Sequence, residues 1–166
     1  MISRRPFLAG LAVALLAPVA ARAETGDPAA FVAGLYDRLA ASRRRKEPDF
    51  WREPAGRTGV FAKDLVDLWK AAEAKVEDGD VGPIDFDLFF NAQDGRPGKP
   101  TLVVVDVDST KAHVRATLPV AKGKTAGADD TLVFSLVREG GGWRIDNLHG
   151  AAGGDPWDLR GLLSLQ

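Results

Sequence analysis

Thr101-Leu102-Val103-Val104-Val105-Asp106-Val107-Asp108-Ser109-Thr110-Lys111-Ala112-His113-Val114-Arg115-Ala116-Thr117-Leu118-Pro119-Val120 holds two strand patterns around one turn. Its second half alternates. Ala112, Val114, Ala116, Leu118 and Val120 fall on one face, and His113, Arg115 and Thr117 on the other, which is the period of a strand with one buried side. Its first half, Thr101–Val107, is nearly all apolar and reads as a central strand covered on both faces. Asp108-Ser109-Thr110 is the hairpin turn between them. Two more strands follow, Thr131–Arg138 and Trp143–Leu148, joined by a turn at Gly140-Gly141-Gly142. The Gly- and Lys-bearing stretch 121–130 is a longer loop. Asp155-Pro156 places a capping residue before a proline and predicts a short last helix through Leu159, Leu162 and Leu163.

Upstream of the strands the period changes. Asp27-Pro28 sets a cap and a first-turn proline, and Phe31, Leu35 and Leu39 then recur every four residues with Val32 and Tyr36 beside them. This helix should reach about Lys46 and stop before Pro48. Arg43-Arg44-Arg45-Lys46 at its end complements the helix dipole. After a loop carrying Phe50 and Trp51, Thr58 can cap a second helix with Phe61, Leu65, Leu68 and Ala72 on one face. Leu88 to Gln93 reads as a short helix or turn against the core. Helices first and antiparallel strands after is an α+β order, not alternating βαβ. Helices laid across one face of a curved sheet of about four strands would bury both stripes and leave a concave mouth.

Three segments carry a family likeness. Ile84-Asp85-Phe86-Asp87-Leu88-Phe89-Phe90-Asn91-Ala92-Gln93-Asp94 resembles the Asp-Phe-Asp…Ala-Gln-Asp segment of a bacterial exported domain family of unknown function, numbered 3828 among such families. Gly142-Trp143-Arg144-Ile145-Asp146-Asn147 resembles its last-strand signature, and Asp158-Leu159-Arg160-Gly161-Leu162-Leu163 its closing helix. The likeness covers most of residues 28–164. It implies a cone-shaped, nuclear-transport-factor-2-like (cystatin-like) fold and an exported location, and it implies no activity.

The start of the chain points the same way. Ser3-Arg4-Arg5-Pro6-Phe7-Leu8 resembles a twin-arginine translocation motif, with Ala9 where such signals often carry lysine. The uncharged run Leu8–Val19 is 12 residues, short of the roughly 20 that cross a bilayer core. Ala21-Arg22-Ala23 is a small-x-small cleavage pattern, so residues 1–23 read as a signal peptide and the mature domain, 24–166, begins at Glu24. The expected location is periplasmic or secreted, with no membrane anchor after cleavage. The chain holds 22 Lys and Arg against 23 Asp and Glu; three basic residues (Arg4, Arg5, Arg22) and no acidic ones leave with the signal, so the mature charge is −4. That balance gives no general attraction to nucleic acid or anionic lipid. There is no cysteine, which excludes disulfides, thiolate nucleophiles and Cys-held metals. With two histidines and no phosphate-cradling glycine loop, no cofactor is expected.

The candidate binding residues are Tyr36, Trp69, Asp85, Asp87, Gln93, Asp94 and Trp143. Asp85 and Asp87, if extended, point the same way about 7 Å apart, and with Asp94 they could converge on a hard cation. Their spacing matches no calcium loop, and capping a short helix is the simpler use of such aspartates, so no metal is assigned. Gln93 and Asp94 can tie their loop to the sheet. Asp106 and Asp108 suit turn chemistry. Trp69 and Trp143 suit core packing, and Trp51 and Trp157 suit a rim. An Asp–His enzyme of hydrolase or isomerase type would draw on Tyr36, Asp146 and His149, but three residues apart on a strand Asp146 and His149 point to opposite faces. No Gly-x-Ser-x-Gly elbow is present. The pattern therefore favours a non-enzymatic exported domain that binds a small ligand or a periplasmic protein partner. A pocket enzyme and an inhibitor or immunity-type protein are the alternatives, and dimerisation through an open sheet face is compatible with the fold.

Overall fold

The computed structural model describes residues 26–77, 79–80, 82–93 and 98–165. Arg4, Arg5, the cleavage pattern Ala21-Arg22-Ala23 with Glu24, and Asp94 lie outside them. The architecture is α+β: helices on one face of an open, five-stranded antiparallel sheet whose strands, β1 (Thr101–Val107), β2 (Lys111–Thr117), β3 (Thr131–Glu139), β4 (Gly142–Ala152) and β5 (Asp155–Asp158), lie in the order β1-β2-β3-β4-β5. None of the described helices is long and apolar enough to cross a membrane.

Helix α1, Pro28–Arg45, starts as its sequence dictates. Asp27 accepts a hydrogen bond from the Ala29 amide at 2.9 Å, and Pro28 occupies the first turn, where its missing N–H costs nothing. Val32, Leu35, Tyr36 and Leu39 form its buried stripe. Lys46 ends it in the left-handed region at φ 58°.

The next segment departs from the expectation. Thr58 caps nothing. The chain makes a short helix α2, Pro54–Arg57, and Val60–Ala62 then runs beside β4, with Ile145 N–H bonding the Val60 carbonyl and Ala62 N–H the Ile145 carbonyl at 2.9 and 2.8 Å. Only then does α3, Lys63–Glu73, begin. The first half of β4 otherwise has a free edge, and pairing it satisfies backbone groups that a longer helix would leave buried.

Helix α4, Leu159–Ser164, follows β5. Ala112, Val114, Ala116, Leu132, Phe134, Leu136, Trp143, Ile145 and Leu148 point inward and form the floor of the core under α1 and α3. Strand β1 is not central. It is an edge strand whose Val103, Val105 and Val107 are 50%, 47% and 55% exposed. A continuous apolar run fits a doubly covered strand and an uncovered edge equally well, and here the outer side of the sheet is open.

The fifth strand is the other departure. Asp155-Pro156 opens β5, not a helix. Gly153 and Gly154, at φ 62° and 89°, form a two-residue hairpin between Ala152 and Asp155, the left-handed turn that suits the twist of two strands. Pro156 sits on the sheet edge, where it is tolerated. The helix starts three residues later than expected, capped by Asp158, which accepts from the Gly161 amide at 2.9 Å.

Candidate functional site

The site begins at Asp87, which is buried and fixes a turn. Its Oδ1 accepts from the amides of Phe89 and Phe90 at 3.1 and 3.2 Å, its own N–H bonds the Ala92 carbonyl at 2.7 Å, and its Oδ2 pairs with Arg43. Arg43 also holds Asp49 at 2.8 Å and so links the turn to the segment that follows α1. The hydrogen bond to Asp49 first, then the bond to Asp87 and the charges of both carboxylates, raises the Arg43 pKa above its ordinary value although burial opposes it. The turn drives Leu88, Phe89 and Phe90 into the core and leaves Asn91 at φ 47°, a left-handed position that asparagine tolerates better than most residues.

Asn91 uses its whole amide. Nδ2 donates to the carbonyls of Asp129, at 2.8 Å, and of Ala151, while Oδ1 accepts from the Trp157 indole N–H at 3.0 Å. Trp157 lies across Gly150, its register partner in β4, where a Cβ would stand 2.5 Å from the ring. Phe86 meets Trp157 edge-to-face, centroids 5.2 Å apart at 70°. Asp129 accepts from Gly153 and Gly154 amides at 3.1 and 2.9 Å and so ties down the β4–β5 turn.

Between these parts lies a half-open pocket of about 500 Å³, walled by Phe86, Ala92, Ala151, Pro156, Trp157 and Leu162, with Asn91, Gln93, Asp129 and Asp155 as its polar side chains. Its volume and mainly apolar lining are those of a small-molecule site. Of the expected binding residues, Gln93 lines it and Asp87 builds the turn beneath it. Trp157, expected at a rim, forms a wall. Asn91 and Gly150 carried signals that sequence reasoning passed over: an Asn after a buried aromatic turn, and a glycine within a strand.

The other expected binding residues lie elsewhere. Tyr36 is buried, donates to the Phe89 carbonyl at 2.9 Å and sits edge-on to Phe89, Phe90 and Phe134. Burial, reinforced by the Asp87 charge, pushes its hydroxyl far above the ordinary tyrosine value, so it stays a phenol. Trp69 packs between Trp51 and Phe61 under the Arg57 guanidinium, which Glu73 pairs at 2.6 Å. Trp51, expected at a rim, is 1% exposed and belongs to the core. Asp85 is exposed and borders a smaller hollow of about 210 Å³ beside Trp51 and Trp69. Trp143 is buried under Arg138 and bonds the Gly26 carbonyl.

Asp146 and His149 are both in β4, so His149 does not follow the last strand as expected. A bulge opposite Ser135 and Leu136 makes Asp146 the extra residue and resets the alternation, so the opposite-face rule does not apply across it. The two still do not pair. Asp146 accepts from Arg160 at 2.7 Å, and His149 Nε2 lies 3.1 Å from Ser135 Oγ on the open outer face. His113 and Asp106 meet on that face at 2.8 Å. Asp158 stands across from His149 in register, and the Asn147 amide, the Gly161 N–H and His149 hold its carboxyl below the usual value. Among the described residues no group of three or more potential ligands could hold a metal ion. No family model, no curated protein and no solved structure matches the chain.

Proposed function

We propose that this is an exported, non-catalytic binding domain whose small ligand occupies the pocket beneath Trp157. One observation carries the reading: the pocket walls come from four separate segments, and Asn91, Asp129 and Trp157 already cross-link three of them by hydrogen bonds, so the cavity is pre-formed. The likeness of residues 84–94 to an exported family, and the twin-arginine-like start, support a periplasmic location and a cone-shaped fold around the pocket. Tyr36, Asp146 and His149, the set an Asp–His enzyme would need, are used separately in core packing, an ion pair to Arg160 and a contact with Ser135.

A neutral apolar fluorophore such as N-phenyl-1-naphthylamine tests the pocket. The mature chain should bind it, and Ala92→Trp, which fills the cavity, should abolish binding with the circular dichroism unchanged. Binding that survives Ala92→Trp would place the ligand elsewhere.

The Ser135–His149 contact favours one second reading, a hydrolase acting on the outer sheet face. Strands β2, β3 and β4 are paired on both sides of Ser135, and an oxyanion needs free, converging donors, which counts against this reading. Labelling of Ser135 by a fluorophosphonate would support this reading against the first.

A further inference from the structure

We infer that the pocket beneath Trp157 selects an organic cation, an amine or quaternary ammonium group carried on a small apolar body. The inference rests on the pocket reading above and names its ligand class.

The side-chain donors of Asn91 and Trp157 and the amides of the β4–β5 turn are spent. The Asn91 amide N–H groups go to the Asp129 and Ala151 carbonyls, the Trp157 N–H goes to Asn91, and the Gly153 and Gly154 amides go to the Asp129 carboxylate. Among the described lining side chains only Gln93 keeps an amide donor that no bond uses. The pocket's acceptors are in surplus. Asp129 is fixed in place by its two amide bonds and keeps lone pairs on both oxygens. Asp155 lines the same pocket with no side-chain partner among the described residues. A ligand that meets this site gains by bringing donors and positive charge.

Charge and shape agree. Two carboxylates line the pocket, and no Lys, Arg or His does so among its described lining residues. An anion would meet like charge and, among the described lining side chains, one free donor, the Gln93 amide. Phe86 and Trp157, at 70° to each other, make two walls of an aromatic corner, the arrangement that attracts a cation through ring quadrupoles. Ala92, Ala151, Pro156 and Leu162 supply the apolar remainder.

The test uses three probes of one shape: (4-hydroxyphenyl)trimethylammonium, its neutral carbon isostere 4-tert-butylphenol, and the anion 4-tert-butylbenzoate. They are titrated calorimetrically into the mature chain and into Asp155→Asn. The cation should bind about tenfold tighter than the neutral isostere, weaken with added salt, and lose most of that advantage in Asp155→Asn. The neutral probe should bind both proteins alike, which doubles as the check that the variant is folded. Equal binding of cation and neutral isostere, or tighter binding of the anion, overturns the charge selection and leaves the pocket reading standing. Failure of all three probes overturns both.

Discussion

Asn91 shows how much one side chain can hold. It joins three places distant in the sequence, bonding Asp129, Ala151 and Trp157 across separations of 38, 60 and 66 residues. Replacing it by alanine strands two carbonyls and an indole N–H in a partly buried site and keeps the unfavourable left-handed backbone. Each stranded group costs about 1–3 kcal/mol unless water reaches it. Asn91→Ala should therefore lower stability by roughly 2–4 kcal/mol, read as a fall in the urea midpoint. Asn91→Gly should lose less, because glycine relieves the φ of 47° while forfeiting the same bonds. Equal losses in the two variants would mean that the backbone conformation contributes nothing measurable.

At the scale of elements, what was legible depended on whether the signal was local. Helix α1 was readable from end to end because each signal is local: Asp27-Pro28 marks its first turn, the stripe repeats every three or four residues, and the basic run marks its last turn. The alternation of β2 was equally plain. Strand β1 was misplaced because its valines reveal apolarity and not what covers them, and β5 because Asp155-Pro156 satisfies two rules at once. The Gly153-Gly154 pair just before it was the better signal, since two adjacent positive-φ positions suit a hairpin and not a helix entry. Helix α4, only Leu159–Ser164, depends on its cap. The Asn147 amide first, then the Gly161 N–H, lowers the Asp158 pKa. A carboxyl depressed on folding stabilises the native state above its unfolded value, near 4, and that contribution is lost as pH falls through the lower native value. In Asn147→Ala the native value rises toward the unfolded one. The variant should lose part of its stability at pH 6, and its acid unfolding should begin at a higher pH than in the parent. Urea midpoints measured from pH 2 to 6 decide the matter, and parallel curves for variant and parent would refute the linkage.

In the whole molecule each strand of the open sheet pairs with the next, so the β2, β3 and β4 patterns could be read from neighbouring residues, whereas the pocket could not, because its walls meet only after residues 86–93, 129, 151–157 and 162 are folded together. This bears on the proposed export route. A twin-arginine signal is read on a folded passenger, and this one offers no disulfide and no cofactor loop to explain that choice. Its compact core does offer a reason. Phe134 is fully buried in the middle of the sheet against Tyr36 and Phe89, and a charge there cannot be accommodated without opening the core. Two variants separate address from folding. Replacing Arg4 and Arg5 together by lysine should leave an uncleaved, protease-resistant precursor in the cytoplasm. Phe134→Asp, with the signal intact, should also stay behind, but as a protease-sensitive chain. Cell fractionation with protease treatment reads both. Export of the Phe134→Asp chain at the parent rate would show that the signal works through the general secretory route, and the folding argument would fall with it.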